Sequence, residues 1–433
     1  MSIDIFKSIL SEFYQEPLNE TTPREIDVPV ESNQIISIIG SRRAGKTTLL
    51  KQLIKKLLLK GIKIEQIVFI DFEDERIPRE TESFEQLLIA HAELHPELDT
   101  ADCWYFFDEI QEMPGWEKFV RRLHETKSRN IFLTGSNAKF LSREIATALR
   151  GRTISYEVYP FSFREYLTHK NINPEKQYST RDKAIIRTSF EEYLQKGGYP
   201  ETIDQVQSVR QKIFKSYLDV MIYRDIIERY DAKNHEVIKA FIKKGLTNIA
   251  KEISVHKTYL ELKSAGFEIS KDYLYKVNEW CEEIFLFFHL TQYYGSVSKE
   301  LASAKKLYCI DNGLVTSTSF RTASDTGRLL ENCIFMELKR KGEDFYYSKM
   351  PKECDFIVKE NEEIKHIIQV TTTLGDPITK KRELEGIIQT IKKTGTVEKA
   401  IIITLEEEST IDYEGSTIQV MPAVKWLLKR RKN

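Results

Sequence analysis

A chain of 433 residues is long enough for two to four domains. Its 41% hydrophobic content supplies apolar material for several cores, which excludes wholesale disorder and a collagen-like fibre. Lys and Arg number 65 and Asp and Glu 66, for a formal net charge of −1, so a globally basic nucleic-acid coat protein is excluded and only a local basic groove remains open.

The five cysteines, Cys103, Cys281, Cys309, Cys333 and Cys354, are odd in number and form no C-x-x-C pair. That argues against a disulfide scaffold and a zinc ribbon and fits a reducing interior. None of the eight histidines forms an H-E-x-x-H pair, which leaves zinc-protease chemistry without support. The longest aromatic-aliphatic block, IFLFFHL, falls far short of the roughly 20 residues that span a bilayer. The start, MSIDIFKSIL, lacks the basic and apolar regions of a secretory signal. A soluble cytoplasmic protein with no membrane partner is expected.

In chain order, the first third alternates apolar runs with helical stretches. NQIISIIG, QIVFIDFED, CWYFFDEI, NIFLTGS and RTISYEVY read as five strands. TTLLKQLIKKLLLKG, FEQLLIAHAEL, WEKFVRRLHETK and AKFLSREIATALRG read as helices between them. This alternation predicts a parallel sheet with helices on both faces, and the continuously apolar strands predict burial on both sides. From about residue 161 to 233 the pattern is helical, with GGYPE as a turn. Residues 235–315 show three short helices, with Ser254 and Ser270 at N-cap positions, then the strand-like LTQYYG and KKLYCID. Helices followed by a two-stranded ribbon predict a winged helix-turn-helix. In the last hundred residues, the helix RLLENCIFMELKRKG precedes strands DFYYSK, CDFIVKE and KHIIQVTT, the helix TKKRELEGIIQTIKK and the strand KAIIITL. Together they form a separate small α/β unit.

The strongest chemical signal is GSRRAGKTT, residues 40–48, which fits the phosphate-loop pattern G-x-x-x-x-G-K-[ST] between a strand and a helix. Gly40 and Gly45 let the backbone turn its N–H groups onto a phosphate, and the helix that follows adds its positive end. Gly40, Ser41, Arg42, Arg43, Ala44, Gly45, Lys46, Thr47 and Thr48 are the expected ATP-binding positions. Lys46 would reach the β- and γ-phosphates, and the Thr47 hydroxyl would ligate Mg²⁺. Arg42 and Arg43 stand at variable loop positions, where contact with nucleotide or a partner competes with simple solvation.

CWYFFDEIQ places Asp108 and Glu109 at the C-terminal end of an apolar strand, where a carboxylate reaches a metal beside the phosphate loop. Asp108 is assigned to the metal and Glu109 to orienting the attacking water, which favours hydrolysis over passive binding. Thr134, Ser136 and Asn137 follow the fourth strand, where a polar group senses the γ-phosphate or caps the next helix. ALRGRT offers Arg150 and Arg152 for transition-state charge, in cis or from a neighbouring subunit, or as solvated residues closing a helix beside Gly151.

These segments, with YPFSFREYL, YLQKGGYPE, KKLYCIDNGLV, GRLLENCIFMEL and ECDFIV, resemble archaeal- and bacterial-type P-loop ATPases of the AAA superfamily with a DUF4143-type C-terminal region, over nearly the whole chain. The resemblance implies an α/β fold: a parallel-sheet P-loop NTPase core of the additional-strand type (1–160), a helical lid (161–233), a winged-helix domain (234–322) and a restriction-endonuclease-like α/β domain (323–433). It also implies ATP binding and hydrolysis. Gly40, Gly45, Lys46 and Thr47 match Walker A, Asp108 and Glu109 match Walker B, Ser136 falls at the sensor-like position and Arg152 in the family's GR turn.

The last domain departs from an active nuclease pattern. Asp355 fits the first acidic position, but the E-x-K positions are held by Gln369 and Thr371, which leaves Glu331 as a further acid toward a metal. This predicts a degenerate module. The expected recognition helix, KDYLYKVNEWCEEIF, mixes Lys271 and Lys276 with Asp272, Glu279, Glu282 and Glu283, which favours packing or protein contact over DNA reading. Lys299, Lys305 and Lys306 keep DNA contact open.

The functional expectation is an Mg²⁺-dependent ATPase that couples hydrolysis to movement of its C-terminal interaction modules. The alternatives are an ATP-switched DNA-binding protein with residual nuclease activity and a slow nucleotide-gated signalling switch. A homo-oligomer and a DNA or protein partner through the C-terminal domains remain open.

Overall fold

The computed structural model describes residues 2–136, 151–175, 179–318, 326–349, 352–361, 363–395 and 397–429. The chain divides into two compact units, Met1–Tyr159 with Glu283–Phe285, and Pro160–Glu282 with Leu286–Asn433.

The first unit opens with a helix absent from the sequence reading, α1 (Ser2–Gln15), which buries Phe6, Ile9, Leu10 and Phe13. The strands β1 (Ile35–Ile39), β2 (Ile67–Asp71), β3 (Trp104–Asp108), β4 (Ile131–Gly135) and β5 (Thr153–Glu157) form one sheet in the order β2-β3-β4-β1-β5. Every pairing is parallel. The connections are α2 (Lys46–Leu59), α3 (Ser83–Leu94) and α4 (Trp116–Thr126). Of the expected helix AKFLSREIATALRG all but Gly151 lies outside the described residues, as do Asn137 before it and Arg150 within it.

Continuous burial of β1 and β4 follows from their internal positions, whereas β5 at the edge has no fully buried residue. Leu49, Leu50, Leu53 and Leu57 recur at helical spacing along α2. They pack on Ile36 and Ile38 of β1, with Phe106 and Phe132 stacked at 4.5 Å between ring centroids.

The second unit begins with α5 (Phe163–His169), α6 (Thr180–Lys196) and α7 (Gln207–Val220), the last continuing as a π-helix over Met221–Glu228. Then come α8 (His235–Thr247), β6 (Lys251–Ile253), α9 (Val255–Ser264), α10 (Lys271–Glu283), β7 (Phe287–Thr291), α11 (Val297–Ala302), β8 (Lys305–Cys309) and α12 (Asn312–Thr318). Ser254 and Ser270 do cap helices, accepting from Lys257 N at 3.2 Å and Tyr273 N at 3.1 Å. The expected two-stranded ribbon is a three-stranded antiparallel sheet, β6-β8-β7, because Lys251–Ile253 adds a strand along β8. Its first long strand begins three residues before LTQYYG, at Phe287, and shares Leu290 and Thr291 with it, since Phe287 and Phe288 of the aromatic block are buried there.

The remaining elements are α13 (Thr326–Arg340), β9 (Asp344–Ser348), β10 (Cys354–Glu360), β11 (Glu363–Val370), α14 (Pro377–Thr394), β12 (Lys399–Thr404), β13 (Ser409–Tyr413), β14 (Ser416–Pro422) and α15 (Ala423–Leu427). Six strands form one sheet, β13-β14-β12-β11-β10-β9. It is antiparallel from β9 to β11 and parallel through β11, β12 and β14. The five cysteines are free and buried. Among the described residues no helix is long and apolar enough to cross a membrane.

Two sequence motifs meet in this unit. Asp311, next to the end of β8, is 5% exposed and accepts from Gly198 N and Gly313 N, each at 2.7 Å. Gly197 has φ +77, and a Cβ there would lie 1.9 Å from Asp311 Oδ1. GGYPE and IDNGL are therefore two halves of one backbone–carboxylate joint. Asp311→Ala strands two buried donors and is expected to destabilise this unit by about 2–4 kcal/mol; a urea midpoint unchanged from the native chain would disprove the joint.

Candidate active site

The site forms at the C-terminal ends of β1, β3 and β4 and at the first turn of α2. Since β4 lies between β1 and β3, the loop after β1 and the acids after β3 are separated by one strand width, which the end of β4 fills. Gly40 leaves β1 against the backbone beyond β5, and a Cβ at this position would meet Val158 O at 2.1 Å. Only glycine lets the loop start there. Gly45 (φ 98) then turns the chain into α2, which begins at Lys46. Arg43 within the loop also has positive φ, 61°.

Lys46 is 5% exposed. Its Nζ donates to Gly40 O and Ser41 O, each at 3.2 Å, and lies 3.3 Å from Glu109 Oε1. The exposed Thr47 donates its hydroxyl to Asp108 Oδ2 at 2.6 Å, and the Thr134 hydroxyl donates to Asp108 Oδ1. Thr134 Oγ1 in turn accepts from Glu109 N at 2.9 Å. Burial raises the Asp108 pKa, and the bonds from Thr134 and Thr47 oppose that rise. For Glu109 burial also pushes upward, but Lys46, Gln111 and Arg42 outweigh it and hold the carboxyl below its ordinary range, so it is ionised at neutral pH. Glu109 sits in the left-handed region (φ 46, ψ 47). That conformation costs a non-glycine residue about 1–2 kcal/mol and is typical of functional turns.

Ser136 is 1% exposed, and its hydroxyl finds no partner among the described residues. An orphaned hydroxyl just past the end of β4, an ammonium against the loop and a hydroxyl–carboxylate pair at a helix start together suit a phosphate ester and a hard cation.

The structure thus brings together Gly40, Gly45, Lys46, Thr47, Asp108, Glu109, Thr134 and Ser136. Arg152 is not among them. It immediately precedes β5 at the N-terminal edge of the sheet, with Arg152 O bonded to Ile35 N and its guanidinium paired with Glu125. In parallel strands that is the end opposite the phosphate loop, so it does not reach the site of its own chain.

Three further residues escaped the sequence reading. Asp71 ends β2 in register with Asp108. Burial, with the charges of Asp108 and Glu109, raises its pKa to about 6. The signal was present in QIVFID, an acid closing an apolar parallel strand. Glu73 pairs with Arg42 at 3.0 Å and so gives that loop arginine a partner on the segment after β2. Arg24 donates to Ala44 O at 2.8 Å and Tyr159 O at 2.5 Å, tying the phosphate loop to the chain beyond β5; no local pattern marks it.

The parallel sheet with its phosphate loop is the core fold of AAA-type P-loop ATPases, and an AAA-domain family model matches residues 32–167. The chain is 36% identical to an uncharacterized protein of Methanocaldococcus jannaschii, MJ1544, over 94% of this chain and 90% of that one, and it belongs to the same family. An uncharacterized protein of Haemophilus influenzae is 29% identical over 90% of this chain and 94% of its own. In place of the expected DUF4143-type region, residues 187–325 match a different domain of unknown function, DUF8612. Among solved structures, the Walker-type ATPase PABY2304 of Pyrococcus abyssi is similar at TM-score 0.42 and 16% identity, covering 66% of this chain and 90% of that one. AMPPCP-bound DnaA from Aquifex aeolicus is similar at TM-score 0.27 and 13% identity, covering 64% and 86%.

Arg24→Ala removes both ties on the loop. The expected result is ATP affinity weakened about 5- to 30-fold, or about 1–2 kcal/mol. Unchanged affinity in an equilibrium titration with a fluorescent ATP analogue would show that the loop needs no such staple.

Proposed function

We propose that the protein is an Mg²⁺-dependent ATPase whose turnover moves its C-terminal modules. The observation that carries this reading is the Thr47–Asp108–Thr134 chain beside the Lys46–Glu109 pair. Lys46 and the loop N–H groups bind the β- and γ-phosphates, while Thr47 and Asp108 would hold an Mg²⁺ ion, which would supply positive charge to offset that of the phosphates. Glu109, ionised and held by the backbone turn, orients the water that attacks the γ-phosphorus and accepts its proton as the bond to the bridging oxygen breaks. Ser136 contacts the γ-phosphate. Arg152, remote from its own site, would act only on a neighbouring subunit.

In the second unit we assign residues 161–233 to a helical lid and 234–322 to a winged helix, supported by the element order α8-β6-α9-α10-β7-α11-β8 and the sheet order β6-β8-β7. Residues 323–433 are assigned to a restriction-endonuclease-like module, supported by the order α13-β9-β10-β11-α14-β12. A second reading, an ATP-switched DNA-binding protein, draws on the exposed Lys257, Lys263, Lys271 and Lys276 of α9 and α10. It is weakened by the exposed Glu279 and Glu282 on α10 and by the loss of Lys306 as a surface charge, since that residue is 1% exposed. ATPase stimulation by duplex or single-stranded DNA that falls steeply with salt would favour this second reading.

Lys46→Ala should weaken ATP binding at least about 100-fold, because it removes the cation on the phosphates. Glu109→Gln should bind ATP within about threefold of the native chain but turn over at least about 100-fold more slowly. Near-normal hydrolysis by both variants would refute the assignment. The C-terminal module should cleave no plasmid, linear or single-stranded DNA with Mg²⁺ or Mn²⁺; cleavage abolished by Asp355→Ala would move the DNA reading to first place.

A further inference from the structure

Lys306 lies on β8, the central strand of the three-stranded sheet. Its Nζ is 2.9 Å from Glu331 Oε1, 2.9 Å from Asp355 Oδ1 and 2.6 Å from Glu353 Oε1. An ammonium has three N–H donors, and three carboxylates converge on this one. Tyr308, two residues along the same strand, donates to Glu331 Oε1 at 2.7 Å. The other oxygen of Asp355 accepts from Val370 N on β11 at 2.9 Å. Burial works against charge on Lys306, but Glu331, Tyr308 and Asp355 raise its pKa well above the usual lysine value, so the ammonium persists. Burial and the neighbouring Asp355 raise Glu331 to about 7, against the pull of Lys306.

A divalent metal does not fit here. In a restriction-endonuclease-like module, the metal would sit at Asp355 with ligands from the helix before β9 and from β11. The helix supplies Glu331, which Lys306 occupies. On β11, Gln369 Oε1 accepts from Asp355 N at 3.2 Å, and Gln369 Nε2 donates to Glu383 at 2.5 Å, so a neutral amide engaged at both ends stands where a carboxylate ligand is needed. Thr371 Oγ1 turns to Thr373 O at 3.3 Å. Among the described residues no group of three or more His, Cys, Asp or Glu is placed to hold a metal ion.

We infer that the Lys306 ammonium is a built-in cation that occupies the metal position of the C-terminal α/β module, excluding divalent ions and pinning β8 to α13 and β10. The inference rests on the proposed fold of that module only for the identity of what is displaced; the contacts of Lys306 stand without it. Its physical basis is charge balance. Buried carboxylates this close demand a cation, and one supplied by a covalently attached side chain needs no recruitment from solution. Removing the ammonium leaves Glu331 and Asp355 uncompensated, an oxygen set that a hard divalent ion can then fill.

The test uses the full chain without nucleotide, in an Asp108→Asn background that removes the metal-assigned carboxylate at the end of β3, with Mn²⁺ as the probe. The Lys306-containing chain should show no Mn²⁺ site tighter than about 1 mM by electron paramagnetic resonance titration. Lys306→Met should acquire one site at least about tenfold tighter, lost again when Asp355→Asn is added. If Lys306→Met is too unstable to titrate, its thermal midpoint should rise by several degrees with Mn²⁺, and that rise should vanish with Asp355→Asn. An Asp355-dependent Mn²⁺ site in the Lys306-containing chain would overturn the inference while leaving the fold assignment in place. So would a folded Lys306→Met chain indifferent to Mn²⁺ in both measurements.

Discussion

The first unit depends on the burial of one carboxylate. Asp108 is 1% exposed, and a charge so placed is tolerated only when its oxygens are satisfied. One oxygen takes the hydroxyl of Thr47 from the start of α2, and the other that of Thr134 from β4. Those bonds exist only if three parallel strands end level with one another, so the register of the sheet and the placement of the phosphate loop are set together. The hydroxyl of Thr134 also accepts from Glu109 N, and this fixes the turn that throws the Glu109 side chain toward Lys46. Alignment of the chemical groups is thus a consequence of how the sheet resolves a buried charge.

The second unit applies the same constraint twice, with different answers. Asp311 is satisfied by one backbone N–H of its own turn, at Gly313, and one from a segment 113 residues away, at Gly198. The glycines at 197, 198 and 313 are there because any Cβ would strike the chain or side chain opposite. Asp355 is satisfied by an ammonium and one backbone N–H. The first solution makes a rigid joint between the helices and the end of β8; the second ties β8 to the six-stranded sheet. Both run through β8, which makes this short strand the element on which the organisation of the unit turns.

Most of the core was legible because its signals are local. The phosphate loop is a contiguous pattern whose chemistry needs consecutive backbone groups, and the helix α2 announces itself by leucines at helical spacing. Asp108 and Glu109 were legible for a related reason, since an acid pair closing an apolar strand has few other uses. Asp71 carried the same signal more faintly and was passed over. Arg24 carried none, because its carbonyl partners at Ala44 and Tyr159 are 20 and 135 residues away. In the sequence Lys306 stands with Lys299 and Lys305 as a charge open to DNA contact. Its partners Glu331 and Asp355 are 25 and 49 residues further on, and nothing in the spacing shows that they meet.

The amino-acid sequence by itself determined the parallel core, its phosphate loop and the pair of acids at the end of the third strand, because periodicity, strand-end acids and glycine placement are properties of short segments. Only the tertiary structure decided the rest. It set Arg152 at the far end of the sheet, where it cannot serve its own site. It gave Glu109 a left-handed backbone, and it converted a lysine of apparent surface character into a buried counter-ion. Each of these depends on which strands become neighbours and at what register, a choice made by the burial of whole faces and the pairing of charges distant in sequence.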